Sequence, residues 1–304
     1  MEFLERAASQ WDEMATRSDA SLILRWWESA ALRHLVDENW VRATGCENAG
    51  AFIRRVTGRT TLGLGLSIGC GTAEDEILLL EQGVLERLIL CDISNEQLDR
   101  AEAFAKERGI DPNRLLRVNH IDLGAPYQEQ LDLIYWRQSL HHMFDTRSTL
   151  TWCANNLTRE GAIFCNDACP PNYMQWDKKV LDWVELYRSS LPTSYLRSPF
   201  THGEYLPCRP TPPGIDYWKS IDPTECADSA NIIPAIRDLA PGAHIAFLGG
   251  CIYGLALEDI ISNFSSDSES DKALLANGMI LDQYMANSGM NFYFASVIKR
   301  SDFL

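Results

Sequence analysis

The stretch from residue 62 to residue 94 places the strongest constraint on how this chain folds. A short apolar run ends in a glycine turn at residues 69–71, a helical pattern follows, and a second apolar run ends on Asp92. Two adjacent parallel strands need a crossover connection, which is usually a helix. The stretch therefore predicts a strand–helix–strand unit in an α/β protein with a doubly wound, mostly parallel sheet.

The glycine turn and the acid together suit an adenosine-containing cofactor. Glycines let the backbone approach a ligand and leave amide groups free at a helix N-terminus, and Asp92 can accept hydrogen bonds from the ribose hydroxyls. The dinucleotide fingerprint has a third glycine where this chain has Glu74. A carboxylate there disfavours a pyrophosphate and suits the ammonium group of S-adenosylmethionine. The sequence therefore favours S-adenosylmethionine, with NAD as the alternative.

At this motif the chain resembles the class I S-adenosylmethionine-dependent methyltransferases, whose first motif commonly runs acid, x, Gly, x, Gly, x, Gly. Ser67 stands where the acid usually lies, and Ala73 replaces the last glycine. We expect Glu74 to supply the missing carboxylate. The resemblance continues to about Asp167 and implies a seven-stranded, Rossmann-like sheet. It also implies a ribose contact for Asp92 and an adenine contact for Asp122. The expected cofactor-binding residues are Ser67, Gly69, Cys70, Gly71, Glu74, Asp92, Ile93, Asp122, Leu123, Arg137 and Gln138.

Two segments are predicted to cover the site. Residues 1–61 have apolar residues at helical spacing, over 3–11 and again over 22–35, and we interpret them as an N-terminal helical cap on the domain formed by 62–304. Residues 168–222 hold most of the chain's 13 prolines and are too long for a simple loop in a compact domain. We interpret them as an inserted cap over the substrate. The aromatic residues expected to contact substrate are Trp26, Trp27, Tyr173 and Trp176.

Three titratable residues follow predicted strands of the sheet. His141 and His142 come after an apolar run at 131–136, and Asp167 comes after another at 162–165. In a doubly wound sheet these positions lie beside the transferable group, and an imidazole titrates near neutrality. We interpret all three residues as candidates for proton transfer. The alternative is that the histidines pack or hydrogen-bond the next helix, while Asp167 caps a turn, orients a histidine or binds a substrate ammonium.

Residues 222–225, Asp-Pro-Thr-Glu, have the pattern of a helix start. An aspartate at the N-cap, a proline at the first helical position and a glutamate three residues after the cap are typical of that position. The pattern predicts a helix that begins there and continues to about residue 239.

Composition and charge restrict the compartment and the partners. The formal net charge is -15, which disfavours binding to phosphate backbones and anionic membranes. We therefore expect no nucleic acid and no membrane among its partners, while a homodimer is compatible with the sequence. Nine cysteines without a CxxC pair predict reduced thiols in the cytoplasm and no metal site. The uncharged stretch 239–257 contains Pro241 and several glycines, so it does not predict a membrane span.

Two large covers suit a small organic substrate that is enclosed in a pocket. We therefore predict S-adenosylmethionine-dependent methyl transfer to a small molecule, in secondary or small-metabolite metabolism such as natural product biosynthesis. The acceptor atom, whether O, N or C, stays open. The alternatives are an NAD-dependent Rossmann oxidoreductase and a methyltransferase-like protein that binds the cofactor without transferring a methyl group.

Overall fold

The computed structural model describes residues 23–304, which form a layered α/β structure around one sheet. The sheet has seven strands in the order β3-β2-β1-β4-β5-β7-β6. The strands are β1 (Leu62–Ile68), β2 (Leu85–Cys91), β3 (Leu115–Val118), β4 (Leu131–Arg137), β5 (Leu157–Ala168), β6 (His244–Gly249) and β7 (Tyr293–Lys299).

The first five strands of the sheet are parallel, and β7 is antiparallel to both of its neighbours. The predicted seven-stranded, mostly parallel sheet is thereby confirmed. The dinucleotide-binding fold has the order 3-2-1-4-5-6, so the antiparallel β7 between β5 and β6 distinguishes this sheet from that fold. The carboxyl ends of the parallel strands all meet at one edge, which we call the carboxyl edge.

Helices cover both faces of the sheet. In the described residues they are α1 (Ala30–Thr44), α2 (Ala49–Thr57), α3 (Glu74–Glu81), α4 (Asn95–Glu107), α5 (Thr146–Asn156), α6 (Lys178–Ser190), α7 (Ile215–Ile221), α8 (Ile232–Leu239) and α9 (Glu269–Asn287). A π-helical turn, Cys251–Ala256, follows β6.

Alternating residues of the strands supply two separate apolar cores. Leu133, Tyr135 and Phe164 face one core, which α1 to α4, α6 and α9 complete. Ile134 and Trp136, the intervening residues of β4, face the other core, which α5 and α8 complete. This period of two is what a strand buried on both faces requires.

Side-chain caps begin two of the helices. The Ser94 hydroxyl accepts a hydrogen bond from Gln97 N at 3.1 Å and begins α4, and serine followed by glutamine three residues later is typical of a helix start. Asp145 begins α5 in the same way, because its carboxylate accepts from Ser148 N at 2.9 Å. Both caps depend on residues within three positions along the chain.

The N-terminal cap differs from the prediction in its first turn. Residues 23–35 are not one helix, because Trp26–Glu28 form a short 3-10 turn and Ser29 is extended before α1 begins. The Glu28 carboxylate stabilises this turn by accepting hydrogen bonds from Leu24 N and Arg25 N at 2.7 and 2.8 Å. The helix predicted over 3–11 lies outside the described residues.

The predicted helix start at 222–225 is wrong. Residues 223–226 form a turn, and Cys226 has a positive φ of 53°, which ends any helix at that point. The helix α8 begins only at Ile232. Among residues 23–304, none of the helices has the length and apolar character of a membrane span.

Candidate active site

The glycine turn after β1 is held against the end of β2. Gly71 N donates a hydrogen bond to Asp92 Oδ2 at 2.8 Å, and Ser94 N donates to Asp92 Oδ1 at 2.9 Å. Asp92 is buried with 9% of its surface exposed. Both of its oxygens are thereby fixed at the carboxyl edge, next to the amide groups of the turn.

A buried carboxylate that the sequence analysis did not single out lies below this turn. Ser67 Oγ donates to Glu76 Oε1 at 2.8 Å, and both residues are buried. Burial raises the pKa of Glu76 to about 7, although Arg137 and the Ser67 hydroxyl act against that shift.

Helix geometry explains why Glu76 rather than Glu74 occupies this place. Glu74 is exposed in the first turn of α3. Two residues span about 200° around a helix axis, so a carboxylate two positions after an exposed one points to the sheet. The helical pattern in the sequence therefore contained the signal for Glu76.

The turn after β1 also touches the turn after β4. Gly69 has a φ of +66°, and a Cβ atom on it would lie 2.7 Å from Ser139 Cβ. Ser139 Oγ donates to Ile68 O at 2.7 Å. Gly69 is therefore required both by its conformation and by this close approach.

Asp167, at the end of β5, organises the turn that carries the histidines. Its Oδ2 accepts from Ser139 N at 2.9 Å and from Leu140 N at 2.6 Å, and its Oδ1 accepts from Ala168 N at 2.7 Å. Its Oδ1 also lies 2.5 Å from His141 Nδ1. Asp167 has no exposed surface, so its position suits orienting His141.

His141 and His142 have opposite electrostatic environments. Burial acts against a charge on His141. The negative charge and hydrogen bond of Asp167, together with the negative charges of Glu225 and Asp222, outweigh burial and raise the pKa of His141. Burial and the neighbouring His141 lower the pKa of His142.

The turn at 222–226 lies directly against both histidines. His142 Nδ1 lies 2.9 Å from Thr224 Oγ1, and the same hydroxyl donates to Asp222 Oδ1. Glu225 Oε1 is 3.8 Å from His141 Nε2, and Glu225 Oε2 is 3.9 Å from His142 Nε2. Nothing in the sequence predicts a site role for Asp222, Thr224 or Glu225, since only the folded chain brings them to the histidines.

The same edge of the sheet holds a cleft of about 290 Å³ beneath α1. Trp26, Tyr253 and Tyr293 form an aromatic wall on one side, with Trp26 edge-on to both tyrosine rings at 5.4 and 6.1 Å between ring centroids. Arg137 and Gln138 line the cleft at the end of β4. The cleft can therefore hold a small molecule with an apolar part and a polar part.

Comparison with known proteins agrees with this geometry. Residues 66–163 match the model of a family described as a methyltransferase domain. The tRNA 5-carboxymethoxyuridine methyltransferase of Escherichia coli (strain K12) is 30% identical over 86 residues, which are 28% of this chain and 32% of that relative. The match thus spans about a third of the length of the curated relatives.

A solved methyltransferase structure shares the fold. Geranyl diphosphate C-methyltransferase from Streptomyces coelicolor A3(2), in complex with Mg²⁺, geranyl diphosphate and S-adenosyl-L-homocysteine, has a TM-score of 0.52 at 13% identity. The similarity covers 99% of this chain and 98% of that chain. The N-methyltransferase NodS from Bradyrhizobium japonicum WM9, in complex with S-adenosyl-L-homocysteine, has a TM-score of 0.39 at 15% identity and covers 54% of this chain and 74% of that chain.

Residues 66–163 therefore match a methyltransferase domain. Over that part of the chain, the match agrees with the class I methyltransferase resemblance predicted from the glycine motif. In this methyltransferase domain the motif's final glycine position is Ala73, which has a φ of 52°. The left-handed backbone that a glycine would favour is therefore retained without a glycine.

The remaining predicted cofactor residues of the methyltransferase domain lie along the carboxyl edge. Cys70 is buried in the glycine turn, and Asp122 is exposed after β3 with its carboxylate accepting from Gly124 N at 2.8 Å. Arg137 forms an ion pair with Asp75 of α3. Gln138 has a φ of 51°. Ile93 and Leu123 are half-buried.

The predicted substrate residues separate into different places. Trp26 lines the cleft, whereas Trp27 is 50% exposed. Trp176 is buried against Phe292, with ring centroids 5.0 Å apart. Tyr173 lies in the turn before α6, where its N donates to Cys226 O at 2.8 Å. The structure therefore brings Trp26 together with Arg137 and Gln138, and it places Tyr173 next to the turn that carries Glu225.

Proposed function

We propose that this chain transfers the methyl group of S-adenosylmethionine to a small organic molecule, in secondary or small-metabolite metabolism such as natural product biosynthesis. The observation that carries the proposal is the arrangement at the carboxyl edge: a glycine turn hydrogen-bonded to Asp92, with the buried Ser67–Glu76 pair beneath it. Asp92 would accept the ribose hydroxyls, and Glu76 would meet the methionine ammonium.

The charges around the turn support S-adenosylmethionine over NAD. The first turn of α3 carries Glu74, Asp75 and Glu76, where a dinucleotide fold would bind a pyrophosphate with free amides and the helix dipole. Asp75 is paired with Arg137, while Glu74 and the ionised form of Glu76 would repel a pyrophosphate and attract a sulfonium compound with an ammonium group. The antiparallel β7 also separates this sheet from the dinucleotide-binding order.

The cleft supports a small acceptor. Its aromatic wall of Trp26, Tyr253 and Tyr293 suits an apolar portion of a substrate, and its volume of about 290 Å³ suits a small molecule. The cofactor carries the electrophile, so the protein mainly orients the acceptor and manages its proton. We propose His141 and His142 for that proton, with Asp167 orienting His141.

Thermal unfolding with one ligand at a time tests the cofactor. S-adenosylhomocysteine at 100 times its dissociation constant should add about 2.7 kcal/mol of stability, while NAD should add none. Stabilisation by NAD alone would contradict the proposal and favour the oxidoreductase.

The variant Asp92→Ala tests the ribose contact. Loss of a charge-assisted hydrogen bond of about 1.5–3 kcal/mol should weaken binding of S-adenosylhomocysteine by roughly 10- to 150-fold, measured by calorimetry. The matched control is Asp238→Ala, whose exposed carboxylate pairs with Arg147 and should leave the affinity unchanged. Equal affinities in the two variants would remove the assignment of Asp92.

Formation of S-adenosylhomocysteine separates methyl transfer from cofactor binding alone. The assay uses S-adenosylmethionine with a panel of small hydroxylated, amino and acidic-carbon compounds, and bulk tRNA in a parallel arm. Turnover with small molecules supports the proposal, and turnover with tRNA alone contradicts it. Binding without turnover in every arm favours a cofactor-binding protein that transfers no methyl group.

A further inference from the structure

Two adjacent histidines and a glutamate distant in the sequence bring possible metal-ligand atoms close together. One ligand atom each from His141, His142 and Glu225 lies within 4.8 Å of the other two. Each Glu225 oxygen faces one imidazole Nε2, at 3.8 and 3.9 Å. Two ligand atoms on one tetrahedral zinc ion lie about 3.4 Å apart, so an ion would need to draw the three ligand atoms together by up to about 1.4 Å from separations of at most 4.8 Å.

Hydrogen bonds fix the orientation of both imidazole rings. Asp167 is an acceptor for His141 Nδ1 and already accepts from three backbone amides, so Nδ1 of His141 carries the proton. The Thr224 hydroxyl gives its proton to Asp222, so its oxygen accepts from His142 Nδ1. Both rings therefore present Nε2 to Glu225, which is how metal-bound histidines are oriented by carboxylates and hydroxyls.

The cluster also carries an excess of negative charge. Asp167, Asp222 and Glu225 surround the two imidazoles, and all three are buried or half-buried. In the part of the chain that the structure describes, neither a lysine nor an arginine forms an ion pair with any of these carboxylates. Buried carboxylates need cationic partners. A charged His141 provides one for Asp167, and a divalent ion would provide further positive charge for Glu225 and Asp222.

We propose that His141, His142 and Glu225 bind a divalent first-row transition metal ion such as Zn²⁺. Two imidazoles and one carboxylate are a donor set suited to such an ion and leave at least one coordination position open. Magnesium and calcium prefer oxygen ligands, so the histidines select against them.

Binding of the ion does not depend on the proposed function, but its chemical role rests on it. In the metal-bound protein both Nε2 atoms are ligands, so the histidines would no longer accept the proton of the acceptor. Instead, the ion would take an oxygen of the acceptor in its open position and make its O–H group more acidic, so that the proton is lost to solvent before the oxygen takes the methyl group and S-adenosylhomocysteine leaves. The acceptor class that this geometry fits is a hydroxyl compound.

Calorimetric titration with Zn²⁺ alone tests the site. The full chain, without a histidine tag, is dialysed against a chelator and then titrated in the absence of S-adenosylmethionine. We expect one ion per chain. The variants Glu225→Gln and His142→Ala should each weaken binding by at least about 100-fold, and Thr224→Val, which removes only the partner of His142 Nδ1, by roughly 10- to 100-fold.

The control for nonspecific binding of Zn²⁺ at the surface is His34→Ala. His34 Nε2 lies 3.4 Å from the carboxylate of Glu38 on α1, and both side chains are exposed. This exposed histidine–carboxylate pair shares the chemistry of the proposed site without its burial or its second histidine, so the variant should bind Zn²⁺ within about twofold of the unchanged chain.

Spectroscopy keeps the proposal testable if a variant fails to fold. X-ray absorption of the unchanged chain with one Zn²⁺ should show two imidazole nitrogens and carboxylate oxygen at the ion. Absence of a bound ion, binding that Glu225→Gln leaves intact, or binding that His34→Ala abolishes would each overturn the proposal. S-adenosylhomocysteine binding, measured on the same metal-free sample, separates failure of the metal site from failure of the cofactor assignment.

Discussion

Ser67 stands where the first motif of the resembled methyltransferases commonly has an acid, and a carboxylate from a helix lies next to it. Glu76 of α3 accepts the Ser67 hydroxyl. Because the carboxylate is buried, its charged form is costly without a ligand, and its pKa is raised to about 7. The residue that matches the motif in sequence is therefore not the one that supplies the charge.

The variant Glu76→Gln should change how stability depends on pH. A folded pKa of about 7, against an ordinary value of 4.5, means that Glu76 stabilises the fold below about pH 4.5 and loses that contribution as the pH rises through 7. Glutamine stays neutral and still accepts the Ser67 hydroxyl. Without cofactor, the variant should match the unchanged chain at pH 4 and exceed its free energy of unfolding by up to about 3 kcal/mol at pH 8.

Urea unfolding at the two pH values measures this difference. The matched control is Glu74→Gln, which removes an exposed carboxylate from the same helical turn and should give a difference that does not change with pH. If stability depended on pH in the same way in Glu76→Gln and in the unchanged chain, the raised pKa of Glu76 would be contradicted. The unchanged chain and Glu76→Gln share every other titratable group, including Arg137 and Asp75 next to Glu76. The difference between their stability curves therefore reports on Glu76.

At the scale of elements, one buried carboxylate sets the turn that shapes the cleft. Asp282 of α9 accepts from Gly250 N at 2.8 Å and from Ile252 N at 2.6 Å, at the start of the π-helical turn Cys251–Ala256. This turn carries Tyr253 into the aromatic wall. The position of that wall therefore depends on a contact between α9 and the residues after β6.

The variant Asp282→Ala should loosen this turn. Two backbone amides lose an acceptor, which we expect to cost about 2–4 kcal/mol of stability, and amide exchange at residues 250–256 should become faster. Asp267→Ala, in an exposed loop before α9, is the control and should change neither quantity. Unchanged exchange at residues 250–256 in Asp282→Ala would show that the turn is held by other contacts.

Local elements were predictable and the completed site was not. The β1–α3–β2 unit and the position of Asp92 follow from signals within about 30 residues, and the structure contains that unit. Glu225 was placed in a helix, because the Asp-Pro-Thr-Glu pattern is a good helix start in isolation. The positive φ of Cys226 and the contacts with the histidines are tertiary features that such a pattern does not contain.

At the scale of the whole molecule, charge is the property that most restricts the partners. The net charge is -15, yet Arg59, Arg159, Lys299 and Arg300 line one cleft at the edge of the sheet opposite the histidines. Positive potential is therefore concentrated away from the candidate active site. A nucleic acid bound at that cleft would be held far from the carboxyl edge.

The chain should consequently bind tRNA poorly. Fluorescence anisotropy with labelled bulk tRNA at physiological salt should show no saturation at protein concentrations below about 100 μM, a range in which non-specific nucleic-acid binders already saturate. Micromolar binding would contradict the small-molecule proposal. In that event Arg159→Glu would identify the cleft at the opposite edge as the site of contact, and Glu160→Gln in the same cleft would serve as its control.

The place of β7 in the sheet has a consequence for synthesis on the ribosome. β6 pairs with β7 alone, and β7 lies between β6 and β5 in the sheet. In the chain, β7 comes last and is separated from β6 by the whole of α9. At roughly 5–20 residues per second, translation leaves β6 and the outer edge of β5 without their shared partner for several seconds. During that interval the nascent chain presents two unpaired strand edges, which are the features that chaperones and aggregates recognise.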